Sequence, residues 1–407
     1  MTPPADAPPG RPARAPAWWI GVAIVLVAAN MRPAVVGVAP VLAQIQASER
    51  LSGTTAGILT ALPVLCFGLL APAGPLLARR FGIERALLTA LVVLCVGFVV
   101  RSSGPLVALF AGTVLVGAAI AVGNVLLPSL IKRDFAGRTG LMTGLYTMAI
   151  TGGATLAAGI TVPVAQAAGL EWHGALLVWV LFAVVALLCW VPQVRRVSRP
   201  TSEGEPRPGG LWRDALAWQV TAYMGLQSLS YFAVMGWLPA VLVDRGFDPV
   251  AAGWMLSLTS AAGVVGATIA PMLATRARAQ RGLVVVVTAV AGLGLVGVFA
   301  VTGIEVAAVV LLGTAQSAAL GLSLTFVALR APDAAHAAQL SGMAQSVGYV
   351  VAAAGPFAVG ALRDATGGWT MPFVLLLVVL AVQGVSGVLA ARDRLVRRRG
   401  AVAAPVS

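Results

Sequence analysis

Residues 18–43 read W-W-I-G-V-A-I-V-L-V-A-A-N-M-R-P-A-V-V-G-V-A-P-V-L-A. The run is long enough to cross a bilayer core, which takes about 20 apolar residues of helix. Near its middle stands Arg32. A guanidinium at that depth costs about 3 kcal/mol on insertion scales, so such residues turn to a bundle interior or a wet cavity. Pro33 follows it. Proline removes a helix hydrogen bond and frees a carbonyl one turn earlier, near Ala29, so a local break is expected here. The break would aim Arg32 inward. The competing expectation is an outward reach: at 1.5 Å per residue Arg32 lies roughly 8 Å from the outer face, within snorkelling range.

Comparable runs follow at 54–78, 84–101, 105–131, 138–168, 171–192, 214–243, 249–275, 282–303, 305–330, 336–362 and 369–391. With 17–44 they make twelve spans of a multi-pass, all-α membrane protein. The chain is 59% hydrophobic and 10% charged, whereas soluble domains are about 25% charged. The net charge of +13 invites a nucleic-acid reading. Its placement argues otherwise. Arg79, Arg80, Arg85, Lys132, Arg133, Arg138, Arg195, Arg196, Arg276, Arg278, Arg281, Arg330 and the Arg-rich tail fall on one set of alternate loops. Only Arg50, Arg101, Arg245 and Arg363 fall on the other. That asymmetry is the positive-inside rule, and it puts both ends in the cytoplasm. No nucleic-acid recognition module accompanies the charge. Arg32 is then the one charged side chain expected deep within a span.

Residues 1–16 are Pro- and Ala-rich and are expected to be disordered. Segment 193–213, with V-R-R-V-S-R-P-T-S-E-G-E-P-R-P-G-G, is a flexible cytoplasmic linker. It divides the spans into halves at 17–192 and 214–391, with a basic tail at 392–407. The halves repeat. Pro40 matches Pro239, Ala56-Gly57 matches Ala252-Gly253, and Thr143-Gly144 matches Ser341-Gly342. P-L-L-A-R-R-F-G-I-E-R at 75–85 matches P-M-L-A-T-R-A-R-A-Q-R at 271–281. Parallel halves of this kind bind solute at the midplane between them and alternate its access by rocking.

Polar side chains inside the spans are the candidate pocket: Asn30 and Arg32 in the first, Asn124 in the fourth, Tyr146 in the fifth, Gln227, Tyr231 and Trp237 in the seventh, Gln345 and Tyr349 in the eleventh. Gln227 with Tyr231, and Gln345 with Tyr349, are four apart and share a helix face. The bland alternative for each is an interhelical hydrogen bond. All acidic residues fall in loops or at span ends. Proton relays usually use an embedded carboxylate or His, so a coupling proton stays open. Arg32 lacks a carboxylate partner in the sequence pattern, and an unpaired guanidinium suits planar, delocalised acceptors. Proton-driven efflux of a drug-like compound is the rival within transport. An enzyme would need a nucleophile–base pair or metal cluster. Cys66, Cys95 and Cys189 are scattered within spans and give no metal, disulfide or cofactor framework.

N-M-R-P in the first span, the 75–85 loop, G-N-V-L-L-P-S-L-I-K-R-D-F, T-G-L-Y-T, Q-S-L-S-Y-F-A-V-M-G-W-L-P and Q-S-V-G-Y together resemble the CynX/NimT family of the major facilitator superfamily. The resemblance runs across nearly all of 17–391. It implies a monomeric twelve-helix permease of the bacterial inner membrane, handling cyanate or 2-nitroimidazole-like solutes. Arg79 and Ile83-Glu84 depart from the superfamily's acidic and basic loop pattern, which puts a gating ion pair there in doubt. The combined expectation is a transporter of a small anionic or electron-rich planar solute.

Overall fold

The structure is a computed structural model, and it describes residues 17–195, 210–276 and 280–396. The expected N-terminal disorder and most of the linker and tail lie outside the described residues. Among the described residues twelve helices are long and apolar enough to span a membrane. They are α1 Trp18–Glu49, α2 Gly53–Leu70, α3 Ile83–Arg101, α4 Leu106–Asp134, α5 Leu141–Ala167, α6 Trp172–Val194, α7 Ala215–Asp244, α8 Pro249–Arg276, α9 Gln280–Ala300, α10 Glu305–Arg330, α11 His336–Thr366 and α12 Thr370–Ala390. The second span is shorter than the 54–78 run: it stops at Leu70, and a separate basic helix Ala73–Phe81 begins after Pro72.

The packing repeats between halves. In the first half α3 packs on α4, α1 on α5, α2 on α4, α3 on α6 and α1 on α6. In the second, α9 packs on α10, α7 on α11, α8 on α10, α9 on α12 and α7 on α12. Every pair recurs six helices later, so the repeat read from prolines and glycines is a repeat of packing. The halves meet through α2 against α11 and α5 against α8. Glycines permit the close approach: a Cβ on Gly57 would meet the Pro356 carbonyl at 2.5 Å, and backbones can near each other only where no side chain intervenes.

The halves touch along α2 and α11 as far as Gly68, where a Cβ would meet the Ser346 carbonyl at 2.8 Å, and most tightly at the end away from the linker. There Gly53 abuts Gly360, and Gly159 packs on Trp254. Nearer the linker α5 is bare at Leu141, Thr143, Gly144, Leu145, Thr147 and Met148. Successive helix positions step by 100°, as 3.6 residues per turn require. Exposure at Thr143, Gly144 and Leu145 together therefore covers more than one lipid-facing stripe. The bundle is closed at the far end and parted at the linker end.

The expected break in α1 is present. Helix Ala17–Asn30 ends, Met31 and Arg32 form a turn, and a short helix Pro33–Val36 begins. A 3-10 turn at Ala39–Val41 and a last helix Leu42–Glu49 follow. The Ala29 carbonyl, one turn before Pro33, lies directly against Gly153 of α5, with the Pro33 ring beside it. Any larger residue at Gly153 would strike that carbonyl, so this glycine is a packing position.

Candidate functional site

Arg32 precedes the short helix with φ −93° and ψ −37°. From this turn its side chain crosses to the other half. The Arg32 Cζ lies 5.7 Å from the Tyr231 ring centroid and 5.8 Å from that of Phe232. Those rings meet edge-to-face at 5.2 Å. Phe67 from α2 and Tyr349 from α11 extend the cluster, with Phe67 5.8 Å from Tyr349 and each 6.3 Å from Phe232. The hydroxyls of Tyr146 on α5 and Tyr349 on α11 both lie within electrostatic range of the Arg32 charge. Residues from α1, α2, α5, α7 and α11 thus converge from both halves. Between them Arg32, Thr60, Tyr231, Phe232 and Met235 line a cavity of about 20 Å³, room for about one water.

Among the described residues the guanidinium has no fixed counter-ion. Arg32 Nη1 is buried without a hydrogen-bond partner, and among the described residues no carboxylate pairs with Arg32. A buried polar atom left unpaired is rare and calls for an explanation. Guanidinium over π faces adds favourable cation–π contact without supplying an acceptor. The arrangement is a cation held ready beside aromatic surface. The Arg32 side chain is directed to the rings of α7, in the opposite half.

The other sequence candidates separate into groups. Tyr146, Tyr231 and Tyr349 stand around Arg32. Asn30 does not face them; it is buried, and its Nδ2 donates to the Leu26 and Phe182 carbonyls at 2.8 and 3.3 Å, inside the first half. Trp237 is likewise buried, donating from Nε1 to the Pro356 carbonyl at 2.9 Å and meeting Trp369 edge-to-face. Gln227 donates to Ser228 Oγ at 3.0 Å and keeps a buried Oε1 without a partner. Gln345 donates to Ser341 Oγ at 2.8 Å, one turn away on its own helix. Asn124 is half-buried on α4, beside Gly123, which abuts the Met31 methyl at the α1 break. Phe67 and Phe232 were not marked by the sequence. A phenylalanine in an apolar span carries no polar atom to distinguish a cavity wall from a lipid-facing residue.

Enclosure is not confined to the deep charge at Arg32. Glu84, Arg101 and Arg330, at the ends of their spans, are also buried, and Arg101 is 1% exposed at the end of α3. Its Nη1 donates 2.7 Å to the Ala34 carbonyl, and its Cζ lies 5.0 Å from the Phe98 ring. The sequence put it at a helix end and could not reveal that the short helix Pro33–Val36, just after the α1 break, offers a carbonyl there.

The family model of the Major Facilitator Superfamily matches residues 18–356. The chain is 38% identical to the 2-nitroimidazole transporter of Escherichia coli (strain K12), over 92% of this chain and 95% of that one. It is 30% identical to the cyanate transport protein CynX of the same organism, over 86% and 91%. Among solved structures, a bacterial homolog of the human lysosomal transporter Spinster, inward-facing and occupied, superposes with a TM-score of 0.77 at 14% identity, covering 92% of this chain and 97% of that one.

Proposed function

This chain belongs to the major facilitator superfamily, where it is related to the cyanate and 2-nitroimidazole transporters, and we propose that it carries a small planar solute, anionic or electron-rich, past Arg32. Fold and relatives point to a transporter of small molecules working by alternating access rather than to an enzyme. The single observation that carries the solute class is the buried, unpartnered Arg32 Nη1 beside the rings of Tyr231 and Phe232, at the junction of the halves. A carboxylate, cyanate, nitrate or nitro group can accept from a guanidinium edge, while a flat body stacks on the aromatic walls. In this reading Tyr146, Tyr231 and Tyr349 complete the pocket. The nitroimidazole and cyanate relatives support the same chemistry. The basic loops support a cytoplasmic linker face in a bacterial inner-membrane protein, and in this reading the parted end opens inward.

The test is a thermal-shift screen of the purified protein against cyanate, nitrate, small carboxylates and nitroimidazoles. A ligand of the folded state raises the apparent melting temperature. The expected result is a shift with at least one planar acceptor that disappears in Arg32→Ala. A shift of equal size in the variant would remove Arg32 from the site, and a flat response to the whole panel would remove the solute class.

A further inference from the structure

At the far end of the bundle a carboxylate of one half closes on a helix terminus of the other. Asp364, near the end of α11, accepts from the backbone N–H of Gly53 through Oδ1 at 2.7 Å. Its Oδ2 accepts from the Thr54 N–H and the Thr54 hydroxyl, each at 2.7 Å. Gly53 and Thr54 are the first residues of α2. The leading N–H groups of a helix have no partner within it and carry the positive end of its dipole, so a carboxylate there is bound by charge and by hydrogen bonds. Gly53 and Gly360 let the helices come this near, since a Cβ on Gly360 would strike the Gly53 carbonyl. The turn that bears Asp364 is itself anchored: Arg363 donates to Asp244 Oδ2 at 2.6 Å and stacks over Trp369 at 4.4 Å.

The repeat-related contact is built differently. α8 corresponds to α2, and α5 to α11. The first N–H groups of α8, from Val250 and Ala251, are taken by its own Asp248 at 3.0 Å. Across the halves at α5–α8 stands a neutral bond, from Ser257 Oγ to the Thr155 carbonyl at 2.8 Å. When the halves part, the cap of α8 travels with its helix. The Asp364 cap of α2 stays behind on α11: α2 keeps its own Ser52 Oγ on the Thr55 N–H at 3.1 Å, but the Gly53 and Thr54 N–H groups and the carboxylate are bared.

We infer that Asp364 is a residue of the transport cycle that never touches the solute: it holds the far end shut by capping α2 from the opposite half. Its strength sets how often the cavity at Arg32 opens to that side. The inference rests on alternating access and not on which solute is carried.

The experiment reads closure without substrate. Cys66, Cys95 and Cys189 are replaced by Ser, Thr60→Cys reports from the cavity wall, and a membrane-impermeant maleimide is added to the outside of right-side-out vesicles. Asp364→Asn is expected to raise the labelling rate about tenfold, the loss of one charged hydrogen bond. It should also lower the external KM for uptake, because more carriers present the site outward. Asp248→Asn, which removes a cap within one half, leaves labelling at the parent rate. An unchanged labelling rate in Asp364→Asn overturns the inference, and so does an equal rise in Asp248→Asn. Should Asp364→Asn fail to fold, Thr54→Val removes one donor from the other half; it is expected to give a smaller rise, and no rise there overturns the inference equally.

Discussion

Arg32 and Arg101 flank the same break in α1, yet they are held in opposite ways. Arg101 comes from α3, within the same half, and donates to the Ala34 carbonyl of the short helix that follows the break. Nothing it touches has to move when the halves rock. Arg32 reaches forward to Tyr231 and Phe232 of the other half and keeps a buried nitrogen with no acceptor. Depth of burial does not separate the two, because Arg101 is the more enclosed. The location of the partner does. Neither cation is fully satisfied, since Arg101 keeps a buried Nε and Nη2 without a partner; what differs is that the groups around Arg101 lie in its own half, whereas the rings around Arg32 come from the opposite one.

That difference is broken most directly at Arg32. Arg32→Ala should lower transport about 100-fold, the loss of a bidentate charge-assisted contact at about 1.5–3 kcal/mol. It should leave the apparent melting temperature unchanged or slightly raised, because an unpaired buried cation is removed. Uptake into proteoliposomes alongside thermal melts checks both. Arg101→Met should behave in the reverse sense. The Ala34 carbonyl loses its donor, while the variant escapes the cost of enclosing a charge, so a net loss of about 1–2 kcal/mol is expected. A lower melting temperature with solute affinity within about threefold of the parent fits that sign. If Arg101→Met instead abolished binding and left stability intact, front and back of the break would not be distinct. Smaller again is the aromatic wall. Phe232→Leu keeps volume but removes the ring, and should weaken binding of a planar solute by about fivefold, within the range of one aromatic contact, with less effect on cyanate than on a ring-bearing ligand.

The fold was legible because lipid enforces it. Apolar runs of fixed length, basic loops on alternate sides and prolines at matched positions each have one physical reading in a bilayer. The break at Pro33 was legible for the same reason: a missing N–H has a definite consequence one turn away. The convergence on Arg32 was legible only in part. Tyr146, Tyr231 and Tyr349 could be marked as polar groups inside spans, but which side of a helix they occupy depends on neighbours that no single span encodes. Asn30 and Trp237 carried the same mark and point to backbone carbonyls instead. Phe67 and Phe232 carried none. Arg101 was hidden by its position at a helix end, where an arginine usually meets water, and only the fold of α1 turns that end into a closed site.

Asn30 gives the finest test of the front–back distinction, because it is two residues from Arg32 and was expected to share its task. Its amide donates to Leu26 on its own helix and to Phe182 on α6. Both acceptors are carbonyls inside helices, where a carbonyl has two lone pairs and the helix ladder uses one. Removing the amide therefore strands no acceptor completely. Asn30→Ala is expected to cost about 0.5–1 kcal/mol of stability, a small downward shift in melting temperature. Solute affinity should stay at the parent value. Were Asn30→Ala to weaken binding as far as Arg32→Ala, the turn at Met31–Arg32 would have to rotate during transport and bring the back of the break to the front. The unchanged affinity predicted here is what a fixed back face requires.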